Sequence, residues 1–269
     1  MEQNRIGLIA GNGRFPILFA QAARKKGIEI VAIAISGETS KSIEHNADKI
    51  HWLGAGELGK LSGIILDEKL TSIVMAGQVK HKTLFDRNIK IDKAMQSLLD
   101  NVRDKKTDSL IGAIAKKLES LGVKLLDSTT FLSEYLPEKG LLTKNPLGEK
   151  ILEDIDFGRE AAKVIAGLDI GQSVVVKDKV LLAVEAIEGT DEAIKRGAKY
   201  GKEGIVVVKV SKPGQDMRFD IPIIGPDTIK LLKKVKAACI SIEAKKTLII
   251  DKKETIDIAN RSGIGIIAS

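Results

Sequence analysis

The segment Lys209-Val210-Ser211-Lys212-Pro213-Gly214-Gln215-Asp216-Met217-Arg218-Phe219-Asp220-Ile221-Pro222 gathers the residue types that phosphorus chemistry requires. An extended backbone from Asp216 to Ile221 puts Asp216, Arg218 and Asp220 on one face and turns Met217, Phe219 and Ile221 to the other. Two carboxylates around a guanidinium can hold a hard cation such as Mg²⁺, which also takes substrate phosphate oxygens, while Arg218 and Lys212 bind pyrophosphate. A carboxylate beside such a cation can position or deprotonate attacking water. An exposed strand with surface ion pairs explains the same pattern without chemistry.

Gly7-Leu8-Ile9-Ala10-Gly11-Asn12-Gly13-Arg14-Phe15-Pro16 places a glycine turn between a strand and a helix. Gly11 and Gly13 let backbone N–H groups approach a phosphate, and Pro16 suits the first helical turn. Tight packing of the turn is the alternative. A dinucleotide fingerprint would have a third glycine where Pro16 stands, and Glu38 is displaced from the ribose-binding acidic position, which argues against NAD. In Glu185-Ala186-Ile187-Glu188-Gly189-Thr190-Asp191, Thr190 or Asp191 can cap a helix, and Glu185 among apolar neighbours requires a partner or a site. Lys80, His81 and Lys82 follow a strand at the sheet edge where open α/β folds bind ligands, although an ordinary solvated loop is the favoured account of them. His45, His51 and His81 lack zinc-site spacing with one another or with Cys239, and no serine elbow is present.

The elements that must carry these groups follow from periodicity. Strand, glycine turn, helix and a second, continuously apolar strand at Ile28 to Ile35 imply a parallel sheet covered on both faces. The fold class is α/β: a parallel-sheet domain over 1–136, a linker at 137–148 containing two prolines and two glycines, and a mixed α+β domain over 149–269. In the second domain, strands at Ser173 to Val176 and Val180 to Ala186 form a hairpin, and a helix is expected over Pro226 to Ala238, basic on its solvent side.

The formal net charge of +7 among 269 residues comes with only six Phe, two Tyr and one Trp, so single-stranded nucleic acid lacks its stacking platforms. An anionic small molecule or anionic membrane surface fits better. The single cysteine precludes an internal disulfide and points to a cytoplasmic address. Neither a signal sequence nor an apolar stretch of membrane-spanning length is expected.

The chain resembles the LpxI-type UDP-2,3-diacylglucosamine pyrophosphatases of lipid A synthesis. The likeness is carried by GLIAGNGRFP, the GQVK of Gly77 to Lys80, the segment Leu168 to Arg196, and KPGQDMRFDIPIIGPDT at Lys212 to Thr228. It implies a Rossmann-like N-terminal domain, a distinct catalytic C-terminal domain and a site between them. Water would attack the α-phosphorus of UDP-2,3-diacylglucosamine with Mg²⁺ or another divalent cation, yielding UMP and 2,3-diacylglucosamine 1-phosphate. The family's essential aspartate matches Asp220. On this reading Asp216 and Asp220 hold the metal, and Gly11, Gly13, Lys80, Thr190, Asp191, Lys212, Gln215 and Arg218 contact substrate. Peripheral association with the inner membrane and a homodimer are compatible with it. The pattern departs at Thr107-Asp108, where two adjacent acids are expected, and at His81-Lys82-Thr83, where an arginine-proline-like continuation is expected. An NAD-type oxidoreductase and a non-catalytic nucleotide-sugar or lipid-binding protein are the alternatives.

Overall fold

A computed structural model describes residues 4–79, 89–102, 107–218 and 221–269. The chain divides into two compact units, Met1–Leu132 with Met217–Phe219, and Ser133–Asp216 with Asp220–Ser269. Lys80, His81, Lys82 and Asp220 lie outside the described residues, as do the side chains of Thr107 and Asp108.

The first unit runs β1 (Arg5–Ala10), α1 (Phe15–Lys25), β2 (Glu29–Ile35), β3 (Lys49–Leu53), α2 (Leu58–Asp67), β4 (Ser72–Ala76), α3 (Lys93–Asn101), α4 (Thr107–Ser120) and β5 (Lys124–Leu125). The strands form a parallel sheet in the order β3-β2-β1-β4-β5. β1 and β2 are buried almost throughout, as their unbroken apolar runs require of strands covered on both faces. α1 carries Pro16 in its first turn and Arg24 and Lys25 in its last, which suits the open N–H groups and the helix dipole.

Strand order reverses between β1 and β4, so their following loops diverge from one crevice. Here the backbones nearly touch. Gly11 N donates to the Ala76 carbonyl at 2.8 Å and Asn12 N to the Gln78 carbonyl at 2.7 Å. A Cβ on Gly11 would lie 2.8 Å from the carbonyl oxygens of Gly77 and Gln78, and one on Gly77, at φ +85°, only 2.5 Å from the Asn12 oxygen. Packing of one loop on the other therefore dictates both glycines.

The opposite edge of this sheet is tied by Glu68, 6% exposed. Its carboxylate takes Lys49 Nζ at 2.5 Å, His51 Nε2 at 2.8 Å and Arg5 Nη2 at 3.1 Å. A carboxylate buried to this degree is tolerated because several donors surround it. Lys49 above all, with His51, holds the Glu68 carboxyl below its ordinary range against the opposing effect of burial.

The second unit contains β6 (Gly140–Leu141), α5 (Glu149–Gly167), β7 (Ser173–Lys177), β8 (Val180–Val184), α6 (Thr190–Gly201), β9 (Val206–Lys209), β10 (Ile223–Ile224), α7 (Pro226–Lys234), β11 (Cys239–Ile242), β12 (Leu248–Ile249), α8 (Lys252–Arg261) and β13 (Gly265–Ala268). Its mixed sheet has the order β6-β13-β11-β9-β7-β8, and β10 pairs separately with β12. Val174, Val176, Val206 and Val208 face Ile155, Ala162 and Ala166 of α5, whereas Val175, Ala183, Val207 and Ile240 face Ile194, Ile229, Leu232 and Ala259 of α6, α7 and α8. The β7–β8 turn puts Asp178 and Lys179 at φ +50° and +56°. Buried Asp154 offsets that strain by accepting both turn N–H groups, at 3.0 and 2.6 Å.

Several elements depart from the sequence-based expectations. The stretch 137–148 is more than a linker, since β6 within it pairs antiparallel with β13. α7 ends at Lys234, four residues early, because Lys236 takes φ +54° and the chain turns into β11. Among the described residues of Asp216 to Ile221 no strand forms: residues 217 and 218 are a turn, and the next strand begins at Ile223.

Two outcomes follow from this packing. Glu68→Gln lowers unfolding free energy by about 2 kcal/mol at neutral pH. Because the folded carboxyl titrates below its unfolded value of 4.5, its contribution is present above that pH and is lost as pH falls through the folded value, so the variant shows a weaker acid limb of stability between those values in urea titrations. Gly11→Ala costs about 1–3 kcal/mol through steric overlap, read as a lowered thermal midpoint.

Candidate active site at the carboxyl edge of the second sheet

Polar side chains enter the second unit where its strands end. Val175, Ala183 and Val207 share one face of the sheet, so Ser173, Glu185 and Lys209, each two residues away, come to the same face at one edge. α6 begins above them with Thr190. Lys209 is only 9% exposed; its Nζ donates to Thr190 Oγ1 at 2.9 Å and to Ser173 Oγ at 3.5 Å. Thr190 Oγ1 in turn donates to Glu185 Oε1 at 2.9 Å. The single hydroxyl proton of Thr190 is thus committed within the protein.

Loops from three elements converge here. A Cβ on Gly171 would lie 2.1 Å from the Glu185 carbonyl oxygen, which shows how closely residues 168–172 abut that strand end. Val210 N donates to the Gln172 carbonyl at 2.8 Å, and Lys212 Nζ pairs with Asp169 Oδ1 at 2.7 Å. The Pro213-Gly214 turn closes with Gln215 N donating to the Lys212 carbonyl at 3.1 Å, while Lys212 N donates to Gln215 Oε1 at 2.6 Å. Lys212, Gln215 and half-buried Asp216 therefore stand on one ordered turn following β9. Asp191 is exposed in the first turn of α6, where a carboxylate favours the dipole.

Arg218 is placed differently. Ser128, fully buried in the first unit, donates its N–H to the Met217 carbonyl at 3.0 Å, and its Oγ lies 2.6 Å from the Arg218 carbonyl and 2.7 Å from that of Met75. One hydroxyl proton is shared between those two acceptors. The guanidinium meets Glu119 Oε1 at 2.5 Å. Of the expected face of Asp216, Arg218 and Asp220, the part within the described residues is corrected: Ser128 takes the carbonyls that a sheet neighbour would need, and Arg218 pairs with Glu119, while Asp220 lies outside the described residues.

The two glycines of the first turn also part company. Gly11 is fixed by packing, whereas Gly13, at φ +90°, has open space where a Cβ would stand. Asn12 Nδ2 donates to Glu38 Oε2 at 3.2 Å, and Glu38 is 7% exposed. The acid nearest a ribose-binding position is occupied within the protein.

Among the described residues no three His, Cys, Asp or Glu side chains form a metal-holding group. Cys239 is buried, and burial pushes its thiol up to about 12, which removes it as a nucleophile. Ser173, Glu119 and Ser128 are no candidates from sequence, and Lys209 and Ser211 stand in the quoted segment without a role of their own. Lys209 had a signal: a lysine in phase with the buried side of a Val-Val-Val strand.

Residues 5–135 match the model of the LpxI N-terminal domain, and residues 138–267 match that of the LpxI C-terminal domain. The chain is 29% identical, over 98% of its length and 96% of the relative's, to the UDP-2,3-diacylglucosamine pyrophosphatase LpxI of Caulobacter vibrioides. It also aligns with glycinamide-RNase-transformylase T from Mycobacterium tuberculosis (15% identity, TM-score 0.26, 68% of this chain and 44% of that one). A biotin carboxylase domain from Hydrogenobacter thermophilus gives 14% identity and TM-score 0.28, over 72% of this chain and 40% of that one. The chain spans less than half the length of those two structures, and likeness at this level says nothing about function. By the match of both its domains, this chain belongs to the LpxI family.

Proposed function

We propose that this chain hydrolyses UDP-2,3-diacylglucosamine at the inner membrane surface of the cytoplasm, as a step of lipid A synthesis, releasing UMP and 2,3-diacylglucosamine 1-phosphate. The observation that carries this reading is the pair of LpxI domain matches, which together reach from residue 5 to residue 267. In the reaction a water oxygen bonds to the α-phosphorus, the bond from that phosphorus to the bridging oxygen breaks, and the lipid phosphate leaves.

The segment Lys212 to Asp220 offers the protein groups for this. Its donors are oxygens, from Gln215, Asp216 and Asp220, without His or Cys, which suits a hard cation better than zinc. Such a cation needs one or two carboxylates together with substrate phosphates, so a protein cluster of three acids is unnecessary. Asp216 and Asp220 would hold it, and when bound it offsets charge on the phosphates. Asp220 orients the attacking water. Lys212, poised by Asp169, supplies a point charge for the diphosphate. Gly13, Lys80, Gln215, Arg218 and the start of α6 at Thr190 and Asp191 are proposed substrate contacts, and Gly11 supports its turn by packing. An NAD-type oxidoreductase gains no support, since Pro16 replaces the third glycine and Glu38 is engaged by Asn12.

Purified protein with Mg²⁺ releases UMP from the lipid nucleotide, and in ¹⁸O-labelled water the isotope appears in UMP by mass spectrometry. Label in the lipid phosphate instead would move the attack to the other phosphorus, and binding without product under any divalent cation would leave a binding protein. Asp220→Asn lowers kcat by about 100-fold or more without lowering the thermal midpoint. Ser128→Ala frees the Arg218 carbonyl, costs about 1–3 kcal/mol of fold stability, and reduces kcat/KM by about tenfold in the folded protein, because slight misplacement of the flanking acids is felt in the rate.

A further inference from the structure

The cluster at the end of β9 has hydrogen-bonding capacity left over. Glu185 Oε1 accepts a hydrogen bond from Thr190, but Oε2 is shielded from solvent and, among the described residues, has no hydrogen-bond partner. Lys209 Nζ has three protons and, among the described residues, two acceptors, Thr190 and Ser173. Val210 packs with Val208 on the α5 side, so Ser211 returns to the face of Lys209. Ser211 is 5% exposed, and its buried hydroxyl has no hydrogen-bond partner among the described residues. Buried polar atoms are normally satisfied, so an acceptor after β8 and a donor and a hydroxyl at the end of β9, all left open, call for a ligand to complete them.

Charge decides which ligand. Lys209 and Glu185 balance one another across the Thr190 hydroxyl, at 2.9 Å on each side. A metal ion placed at Thr190 would face the Lys209 ammonium, and a phosphate would face the Glu185 carboxylate. A neutral group that both donates and accepts meets neither penalty. We propose that Glu185 accepts a hydrogen bond from a sugar hydroxyl of the bound ligand, with Lys209 as a positioning residue that acts through Thr190 and with Ser211 as a flanking partner. The inference rests on the nucleotide-sugar reading given above, which supplies two sugars, a ribose and a glucosamine.

Calorimetric titration of the full chain with UMP and with glucosamine 1-phosphate, in Mg²⁺, tests it. Glu185→Gln retains an acceptor for Thr190 but can present a donor where Oε2 stood, and it weakens one probe by about tenfold. Loss for UMP assigns the hydroxyl to ribose; loss for glucosamine 1-phosphate assigns it to glucosamine. Thr190→Val, close in shape but without the hydroxyl, weakens the same probe, and Thr190→Ser restores it to within about twofold. This pair carries the test if Glu185→Gln folds poorly in a thermal melt. Affinities for both probes within about twofold of wild type in the folded Gln and Val variants would overturn the assignment while leaving the proposed function standing. If wild type binds neither probe, the nucleotide-sugar reading fails and the assignment fails with it.

Discussion

A strand covered on both faces has no room for charge along its length, because an unpaired polar group in such a layer costs several kcal/mol. Whatever chemistry the chain performs is therefore displaced to strand ends, where the apolar period runs out and loops supply partners. In the second unit this constraint is visible in β9: three valines are fully buried, and the lysine that follows is nearly so, its ammonium kept by Thr190 and Ser173. Thr190 at the helix start and Ser173, the first residue of β7, meet that ammonium, and Glu185 at its strand end is joined to it through the Thr190 hydroxyl. The same rule governs the first unit at Glu68, where three basic side chains surround one buried carboxylate.

Backbone groups impose a second kind of order. The Met217 and Arg218 carbonyls find donors in Ser128, and Asp154 receives the N–H groups of a strained hairpin turn. Each is a single buried side chain that fixes a segment whose own sequence would permit other conformations. The chemistry-bearing segment is thus shaped less by its own alternation than by what satisfies its carbonyls. Its alternation of polar and apolar residues looked like a strand, yet a strand needs a neighbour with free N–H groups, and Pro213 and Gly214 turn the chain beforehand.

Much of the fold was legible because it rests on local periodicity. The apolar runs at Arg5 to Ala10 and Ile28 to Ile35 are strands, Gly27 ends the first helix at φ +73°, and the hairpin of β7 and β8 falls where the turn residues put it. α8 and β13 were not read, since a charged helix and a four-residue strand carry weak periodic signals. The glycine turn was legible as a turn, but only coordinates separate Gly11, pressed against Gly77, from Gly13, which faces open space.

By itself the sequence determined the fold class, the position of the glycine turn and the family, since these depend on residue type and spacing along the chain. Tertiary structure alone decided which side chains meet: Lys209 with Thr190 and Glu185, Arg218 with Glu119, Ser128 with the carbonyls of residues 217 and 218. The physical reason is range. Periodicity fixes the face on which a residue lies, whereas a hydrogen bond between residues 90 positions apart, as from Ser128 to Arg218, depends on how separate elements pack.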